Sequence, residues 1–276
     1  MRRMTPDSPT PPWTPTRRDA LRAVASCAAW ILAGQVPAAE IDYGALVDMA
    51  GRQRMLTQRI VKAYAQVGLG VTPEASQAQL RAAVRRFEAQ LAELGRRAPV
   101  AAARPVLDAV QGLWRPLRRV ALAPVRRDGA EWLARHDEAL LGAAHELVGV
   151  LEGAAGTPVA RLVNLAGRQR MLSQRLAKLY MLRAWGIAVP GADAQVAAAR
   201  GEFAAALATL RDARENTPGI AEELGAVALH WDWFTAALAM QGEASHALVV
   251  ADASEAILDG MERVAGMYSK AARAPA

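Results

Sequence analysis

Cysteine is all but missing from this chain: Cys27 is the sole one, and it lies in a segment that reads as a removable leader. Once that leader is gone, disulfides, thiolate metal sites and cysteine nucleophiles are excluded together. Aromatic residues make up only 5% of the chain, and no run alternates Val, Ile or Thr with polar residues, which leaves no signal for strands. The four histidines, His136, His145, His230 and His246, form no His-x-x-x-His pair, and no Glu-x-x-His motif occurs, so a di-iron bundle is not expected. His230 stands beside Trp231, Asp232 and Trp233, a group that reads as helix packing. A Cys-x-x-Cys-His haem attachment, a glycine-rich phosphate loop and a nucleophile elbow are also missing. The expectation is therefore a chain with no metal, no cofactor and no catalytic residues, which is to say not an enzyme.

What is present is helical and repeated. Alanine and leucine abound, and with strands excluded the fold class is all-α. Ala50-Gly51-Arg52-Gln53-Arg54-Met55-Leu56-Thr57-Gln58-Arg59 returns as Ala166-Gly167-Arg168-Gln169-Arg170-Met171-Leu172-Ser173-Gln174-Arg175, 116 positions later and changed only from Thr to Ser. The same offset relates Phe87 to Phe203; an offset of 117 relates Trp114 to Trp231 and Glu138-Ala139-Leu140-Leu141 to Glu255-Ala256-Ile257-Leu258. A duplicated unit of about 116 residues follows, each copy long enough for its own core. The domains are read as 1–38 a leader, 39–155 the first unit and 156–276 the second.

The leader accounts for much of the basicity. Arg2, Arg3, Arg17, Arg18 and Arg22 against Asp7 and Asp19 mean that its loss takes Lys+Arg from 33 to 28 and Asp+Glu from 27 to 25, and the net charge from +6 to +3. Residues 4–16 hold five prolines and read as a disordered extension. Arg17-Arg18 then precedes an apolar run from Ala23 to Val36, and Val36-Pro37-Ala38 offers a cleavage site, the layout of a bacterial signal peptide. The arginine pair resembles a twin-arginine motif, although Ala20 stands where that motif has an aromatic, so general secretion stays open as the route. The run is short of the ~20 residues a membrane span needs; an uncleaved anchor is the alternative to cleavage. Val24-Ala25-Ser26-Cys27 has the letters of a lipobox, but its apolar run follows the cysteine where it should precede it. A periplasmic location is expected, and with it no nucleic-acid partner, despite the cluster Arg81, Arg85, Arg86, Arg96 and Arg97.

Cap and breaker signals place four helices in each repeat. Asp42 caps a long helix to Gly68; Thr72-Pro73 starts one to Gly95; a third runs from Arg104 to Leu122, kinked at Pro116; a fourth runs from Gly129 to Glu152. In the second repeat Thr157-Pro158 starts the long helix to Trp185, Asp193 caps the next to Arg214, Thr217-Pro218 starts a third to Gln241, and Ser245 precedes the last, to Ala271. Short links between such helices suit two tandem antiparallel four-helix bundles. Trp233 stands in the second repeat where Pro116 stands in the first.

On the first long helix, Leu46, Met49, Gln53, Leu56, Ile60 and Tyr64 share one face, the core face. A second stripe holds Val47, Ala50, Gly51, Arg54, Gln58 and Val61, matched by Val163, Ala166, Gly167, Arg170, Gln174 and Ala177. Glycine costs about 1 kcal/mol against alanine inside a helix, and the same mid-helix glycine in both copies is explained by close approach of another helix. Stacking the two long helices brings Arg54 and Arg170 together across a pseudo-twofold axis. Two facing guanidinium groups in a dry seam repel unless an anion lies between them, and an oxyanion suits their forked donors, with Gln58 and Gln174 behind. Arg52, Arg59, Arg168 and Arg175 lie on the far side, where solvent or acidic neighbours hold them.

The segments Ala50 to Tyr64 and Ala166 to Tyr180 resemble the signature of the PilJ-type sensor domain of type IV pilus methyl-accepting chemotaxis transducers. They are also similar to the periplasmic input domain of nitrate- and nitrite-sensing histidine kinases. In those kinases a four-helix sensor dimerises, and one arginine from each subunit holds a single anion at the interface. Their motif, Ala-Gly, two variable residues and Arg-Met, places the ligand arginine on Arg54 and Arg170 and the close-packing glycine on Gly51 and Gly167. The resemblance implies that one chain imitates a homodimer, though pairing between two chains is not excluded. Arg52-Gln53 before Arg54 and Leu56-Thr57-Gln58 after Met55 are the PilJ form of the motif. With no kinase, HAMP or methyl-accepting segment after the second repeat and no stable membrane span after cleavage, a sensor of this kind hands its signal to a separate signalling protein or chemoreceptor. The rival reading is a periplasmic interaction module of a chemoreceptor or pilus system, in which the same seam docks a partner's helix and no small ligand is needed.

Overall fold

The computed structural model describes residues 41–98, 100–240 and 246–271; the leader expected over 1–38 and the cap expected at Ser245 lie outside the described residues. From Asp42 onward the chain forms one compact unit. Its first repeat supplies α1 (Tyr43–Leu69), α2 (Pro73–Arg97), α3 (Ala103–Leu122) and α4 (Arg127–Ala155), and its second α5 (Pro158–Ala184), α6 (Ala192–Arg211), α7 (Pro218–Ala239) and α8 (Ala247–Ala271). Among the described residues no strand occurs and no helix is long and apolar enough to cross a membrane.

The helix starts follow local chemistry. Asp42 accepts from the Ala45 N–H at 2.9 Å, and Thr157 and Thr217 accept from Ala160 at 3.2 Å and Ile220 at 3.4 Å, each satisfying a donor that the first turn leaves open. Two expected caps are different. Thr72 takes the cap position in the left-handed region, at φ 38°, and its hydroxyl makes no cap bond. Asp193 is a first-turn residue, where its charge suits the helix dipole, and Gly191 at φ 66° is the cap. Helix α3 runs unbroken through Pro116.

Within each repeat the four helices pack in a ring, α1 on α2 and α4 with α3 closing between them, and α5 on α6 and α8 with α7 closing. Each ring is a four-helix bundle. The core face of α1 is buried as its spacing requires, with Leu46, Gln53, Leu56, Ile60 and Tyr64 inside and Met49 half-buried. The echoed aromatics lock the outer pair of helices in both rings: Phe87 meets Trp114 at 4.2 Å between ring centroids, and Phe203 stacks on Trp231 at 3.8 Å. Such pairs add about 0.5–1.5 kcal/mol beyond the area they bury.

The most extensive helix contact of all joins the two rings, α1 against α5. All twelve residues of the two expected seam stripes are buried. Gly51 faces Gly167 near the starts of these helices, and Gly68 lies under the Trp185 ring near their ends, so the two run side by side in the same direction. A Cβ on Gly51 would meet the Gly167 Cα at 3.8 Å, and one on Gly167 would meet the Gly51 Cα at 3.7 Å. Those are ordinary contact distances, and the tighter one is to the Arg170 Nη2 atom, 3.1 Å from a Cβ on Gly167, so the glycines leave room for the guanidinium groups as well as for the facing backbone.

Ionic contacts flank the seam, and each crosses from one repeat to the other. Lys62 of α1, fully buried, reaches Glu255 of α8 at 2.5 Å and the Ser254 hydroxyl at 3.2 Å, and Arg59 pairs with the same glutamate. The matching Lys178 of α5 reaches Asp137 of α4 at 2.6 Å and Glu138 at 3.2 Å, with Arg175 on Glu138 at 3.0 Å. Burial pushes the Lys62 ammonium below its ordinary value, with Glu255 opposing. Burial works to raise the Glu255 carboxyl, but the cations of Lys62 and Arg59 outweigh it and hold the group low.

Two outcomes follow from this packing. Gly51→Leu is expected to cost about 1–3 kcal/mol by overpacking the seam. Gly112→Ala, on an open face of α3 with nothing within 4 Å, gains up to about 1 kcal/mol from helix propensity; thermal melts of the two variants check the contrast. Because the Glu255 carboxyl is depressed when folded, its stabilising share is complete above about pH 4.5, its ordinary value. That share is lost as pH falls through the lower folded value. Glu255→Gln is therefore expected to destabilise the protein by roughly 3 kcal/mol at pH 7, since it leaves Lys62 buried without a counter-charge, and to flatten the acid limb of a stability-against-pH curve.

Candidate functional site

The seam stripe places Arg54 and Arg170 one turn after their glycines, and a helical side chain leans back toward the N-terminus. Both guanidinium groups therefore come to lie over the glycine contact. Each has an Nη2 atom within 3.6 Å of the place a Cβ on Gly51 would take, and both side chains are fully buried. Two cations share one dry crossing point.

Their surroundings are built from matching positions with different residues. Arg170 donates through Nη2 to Asp48 at 2.7 Å and through Nη1 to Glu262. Arg52 joins the same two carboxylates at 3.0 and 2.7 Å, and Arg86 reaches Glu262 at 2.9 Å. Arg54 donates through Nη2 to the Asn164 side-chain oxygen at 2.7 Å and its backbone oxygen at 3.3 Å, and its Nη1 lies 3.2 Å from His145 Nδ1. Arginine has only donors, so that histidine nitrogen accepts. At the repeat offsets Asn164 stands where Asp48 stands and His145 where Glu262 stands. One arginine is clamped by two carboxylates, and the other has two neutral partners.

The electrostatics follow. Burial lowers the Arg54 guanidinium, Arg168 and Arg170 lower it further, and Glu152 opposes too weakly to prevent a fall from 12.5 to about 9. Burial acts on Arg170 in the same sense, but Asp48 and Glu262 outweigh it and hold the group above its ordinary value. Burial followed by the charges of Arg54 and Arg168 lowers His145, which keeps its ring neutral beside the arginine. The carboxylate nearest in the chain of contacts on this side is Glu152, which accepts from the Asn164 amide. The Nε atoms of both Arg54 and Arg170 lack a hydrogen-bond partner.

Gln58 and Gln174 are buried in the seam stripe but turn their amides elsewhere. Gln58 donates to the Thr57 hydroxyl at 3.1 Å and to Asp137 at 3.3 Å, and Gln174 donates to the Ser254 carbonyl at 3.1 Å. They brace α4 and α8, with no hydrogen bond to either arginine. The four outer arginines do find acids, Arg52 on Asp48 and Glu262, Arg59 on Glu255, Arg168 on Glu202 and Arg175 on Glu138. Residues that the sequence reading missed are Asp48, His145, Asn164 and Glu262; a comparison of the two repeats position by position outside the decapeptide holds the signal for all four.

Arg54, although fully buried, also belongs to the wall of a groove. This groove of about 520 Å³ lies between α4, α5 and α6, with His145 and Arg168 beside that arginine and Leu141, Met171 and Ala198 along its walls. Among the described residues no cluster of His, Cys, Asp and Glu has the form of a metal site. The arrangement sets a buried cation without a carboxylate partner in the wall of an open groove.

No curated protein and no solved structure is matched by this chain. A family model does match, described as the type IV pili methyl-accepting chemotaxis transducer N-terminal domain, PilJ, first over residues 42–139 and again over residues 156–256. These spans take in both copies of the arginine segment and most of both bundles, and the chain belongs to the PilJ family, carrying its domain twice.

Proposed function

We propose that this protein is an exported, non-enzymatic sensory module that binds a small oxyanion, nitrate or nitrite first among them, at the Arg54 and Arg170 seam. Its occupancy is passed to a separate signalling protein. The observation that carries this reading is the state of Arg54, a fully buried guanidinium whose direct partners are all neutral. Burying a cation without a counter-charge is costly, and an oxyanion on Arg54 supplies the charge that Asp48 and Glu262 supply to Arg170. Arg54 is thus the principal donor, and Arg170 adds positive potential across the glycine contact. Gly51 and Gly167 hold the two within reach.

Occupancy has a route to the rest of the fold. An anion that takes Nη1 or Nη2 of Arg54 displaces His145 of α4 or Asn164 of α5, and Asn164 in turn holds Glu152 of α4. These links tie α1 to the two helices on either side of it, so a ligand that breaks them favours a different helix arrangement. The family and the arginine-led leader support a periplasmic setting and a chemoreceptor or another signalling protein as the receiver.

The second reading, an interaction module without a small ligand, is favoured by one feature: Leu229 and Trp233, one turn apart on α7, are 66% and 73% exposed. The seam itself is filled by the chain's own α1 and α5, so a partner on this reading docks elsewhere.

Calorimetric titration of the purified chain with nitrate, nitrite, sulfate and chloride separates the two readings. Saturable binding of nitrate or nitrite at about one per chain is expected, weakened by at least tenfold in Arg54→Gln through loss of a charged hydrogen bond worth about 1.5–3 kcal/mol. No heat with any of the four anions, from a chain that is folded and helical, removes the sensor reading and leaves the interaction module.

A further inference from the structure

The two arginine sites are copies of one another, and the grooves beside them are copies too, but they have diverged in depth. On the Arg170 side a groove of about 380 Å³ between α1 and α2 is lined by Arg59, Ala82, Ala83 and Arg86 among others, and Arg170 is not in its wall. There Arg86 crosses to Glu262, so a side chain of this protein already spans the approach to the clamped arginine. On the Arg54 side Glu202 holds the place of Arg86 and pairs with Arg168. Among the described residues no side chain crosses there as Arg86 does, the groove has the buried Arg54 in its wall, and it enlarges to about 520 Å³.

That space is far larger than an inorganic anion needs. At ~30 Å³ per water of liquid volume it is room for well over ten waters, and it falls within the roughly 300–1,000 Å³ of pockets that take small organic molecules. Its wall is amphipathic. Leu141, Met171 and Leu172 are buried apolar residues along one side, with Ala198 and Ala199 opposite, and the thioether of Met171 adapts to irregular shapes. The charged lining residues are Arg54, Arg168 and Arg175 against Glu138 and Glu202. Arg168 and Glu202 pair, as do Arg175 and Glu138, and beside the neutral His145 this leaves one uncompensated positive charge, on Arg54. A single negative charge on an apolar body is what this lining complements.

We propose that the groove ending on Arg54 is the binding site for a small organic monocarboxylate, its carboxylate on the Arg54 guanidinium and its apolar body along Leu141, Met171 and Ala198. This rests on the reading of Arg54 as the anion donor, and it names the class of ligand: the planar oxyanion is retained, carried on a hydrocarbon. The mirror groove takes no such ligand, because Asp48 and Glu262 already occupy the donors of Arg170.

Calorimetry and thermal-shift measurements on the full chain test this, with benzoate and hexanoate as probes and acetate, benzamide and nitrate beside them. Benzoate or hexanoate is expected to bind at one per chain about tenfold or more tighter than acetate, since an apolar pocket rewards each added group by about that factor; benzamide, which lacks the charge, is expected not to bind. Ala198→Phe fills the groove from an exposed position on α6, away from both arginines. It is expected to weaken the tighter probe at least tenfold and leave nitrate within about twofold, whereas Arg54→Gln loses both. Nitrate binding with neither probe tighter than acetate overturns the organic ligand and leaves the oxyanion sensor standing, as does probe binding that Ala198→Phe does not change. Absence of binding by every anion overturns both.

Discussion

Two buried guanidinium groups over a glycine contact set the terms for the rest of this fold. Bringing α1 and α5 close enough for Gly51 to meet Gly167 buries Arg54 and Arg170 completely, and like charges in a dry seam repel and cost stability to the extent that they are left uncompensated. Asp48 of α1 supplies part of the compensation, and the rest comes from the outer helices. Helix α8 contributes Glu262 to Arg170, and also Glu255 to Lys62 and Arg59; α4 contributes Asp137 and Glu138 to Lys178 and Arg175. The Glu262 contact lies within the second repeat, and the others each join one repeat to the other. The charge balance along the seam and the cohesion of the two bundles are therefore met largely by the same residues, and removing Glu255 leaves Lys62 buried without a carboxylate partner.

The helical plan was legible in the sequence because it rests on short-range signals. Periodicity placed the core face and the seam stripe of α1 and α5, proline and threonine pairs placed three helix starts, and the repeat offset placed the Phe87 and Trp114 pair beside its copy at Phe203 and Trp231. Where the reading departed from the structure, local chemistry had two solutions. An acid near a helix start suits the cap or the first turn equally, and at Asp193 the backbone turns through Gly191 first. At Thr72 the positive φ takes the hydroxyl out of capping geometry.

The site was legible only as far as its symmetry. The decapeptide gives both arginines, both glycines and both glutamines, but it is nearly identical in the two copies and so carries no information about how they differ. That information lies in Asp48 and Asn164, just before the decapeptide, and in His145 and Glu262, about ninety residues beyond it, where the offset has moved from 116 to 117. Lys62 and Lys178 were passed over for another reason. Lysine is almost never fully buried without a partner, and their partners sit on helices distant in sequence.

Duplication within one chain is what makes the difference between the two sites possible. In a symmetric dimer every residue appears twice in equivalent surroundings, so an acid that neutralises one arginine neutralises its twin, and a neutral residue that exposes one to a ligand strips both. Stability and binding then compete for the same position. Joining the two copies removes the constraint. Asp48 and Glu262 commit Arg170 to holding the seam together, while Asn164 and His145 leave Arg54 short of charge at the end of an open groove. Two adjacent uncompensated cations would cost the fold more than one, and a site with no uncompensated cation would have nothing to offer an anion. On the proposed reading, one clamped arginine beside one free of carboxylates is the arrangement that keeps the seam closed and still leaves a charge for a ligand to meet.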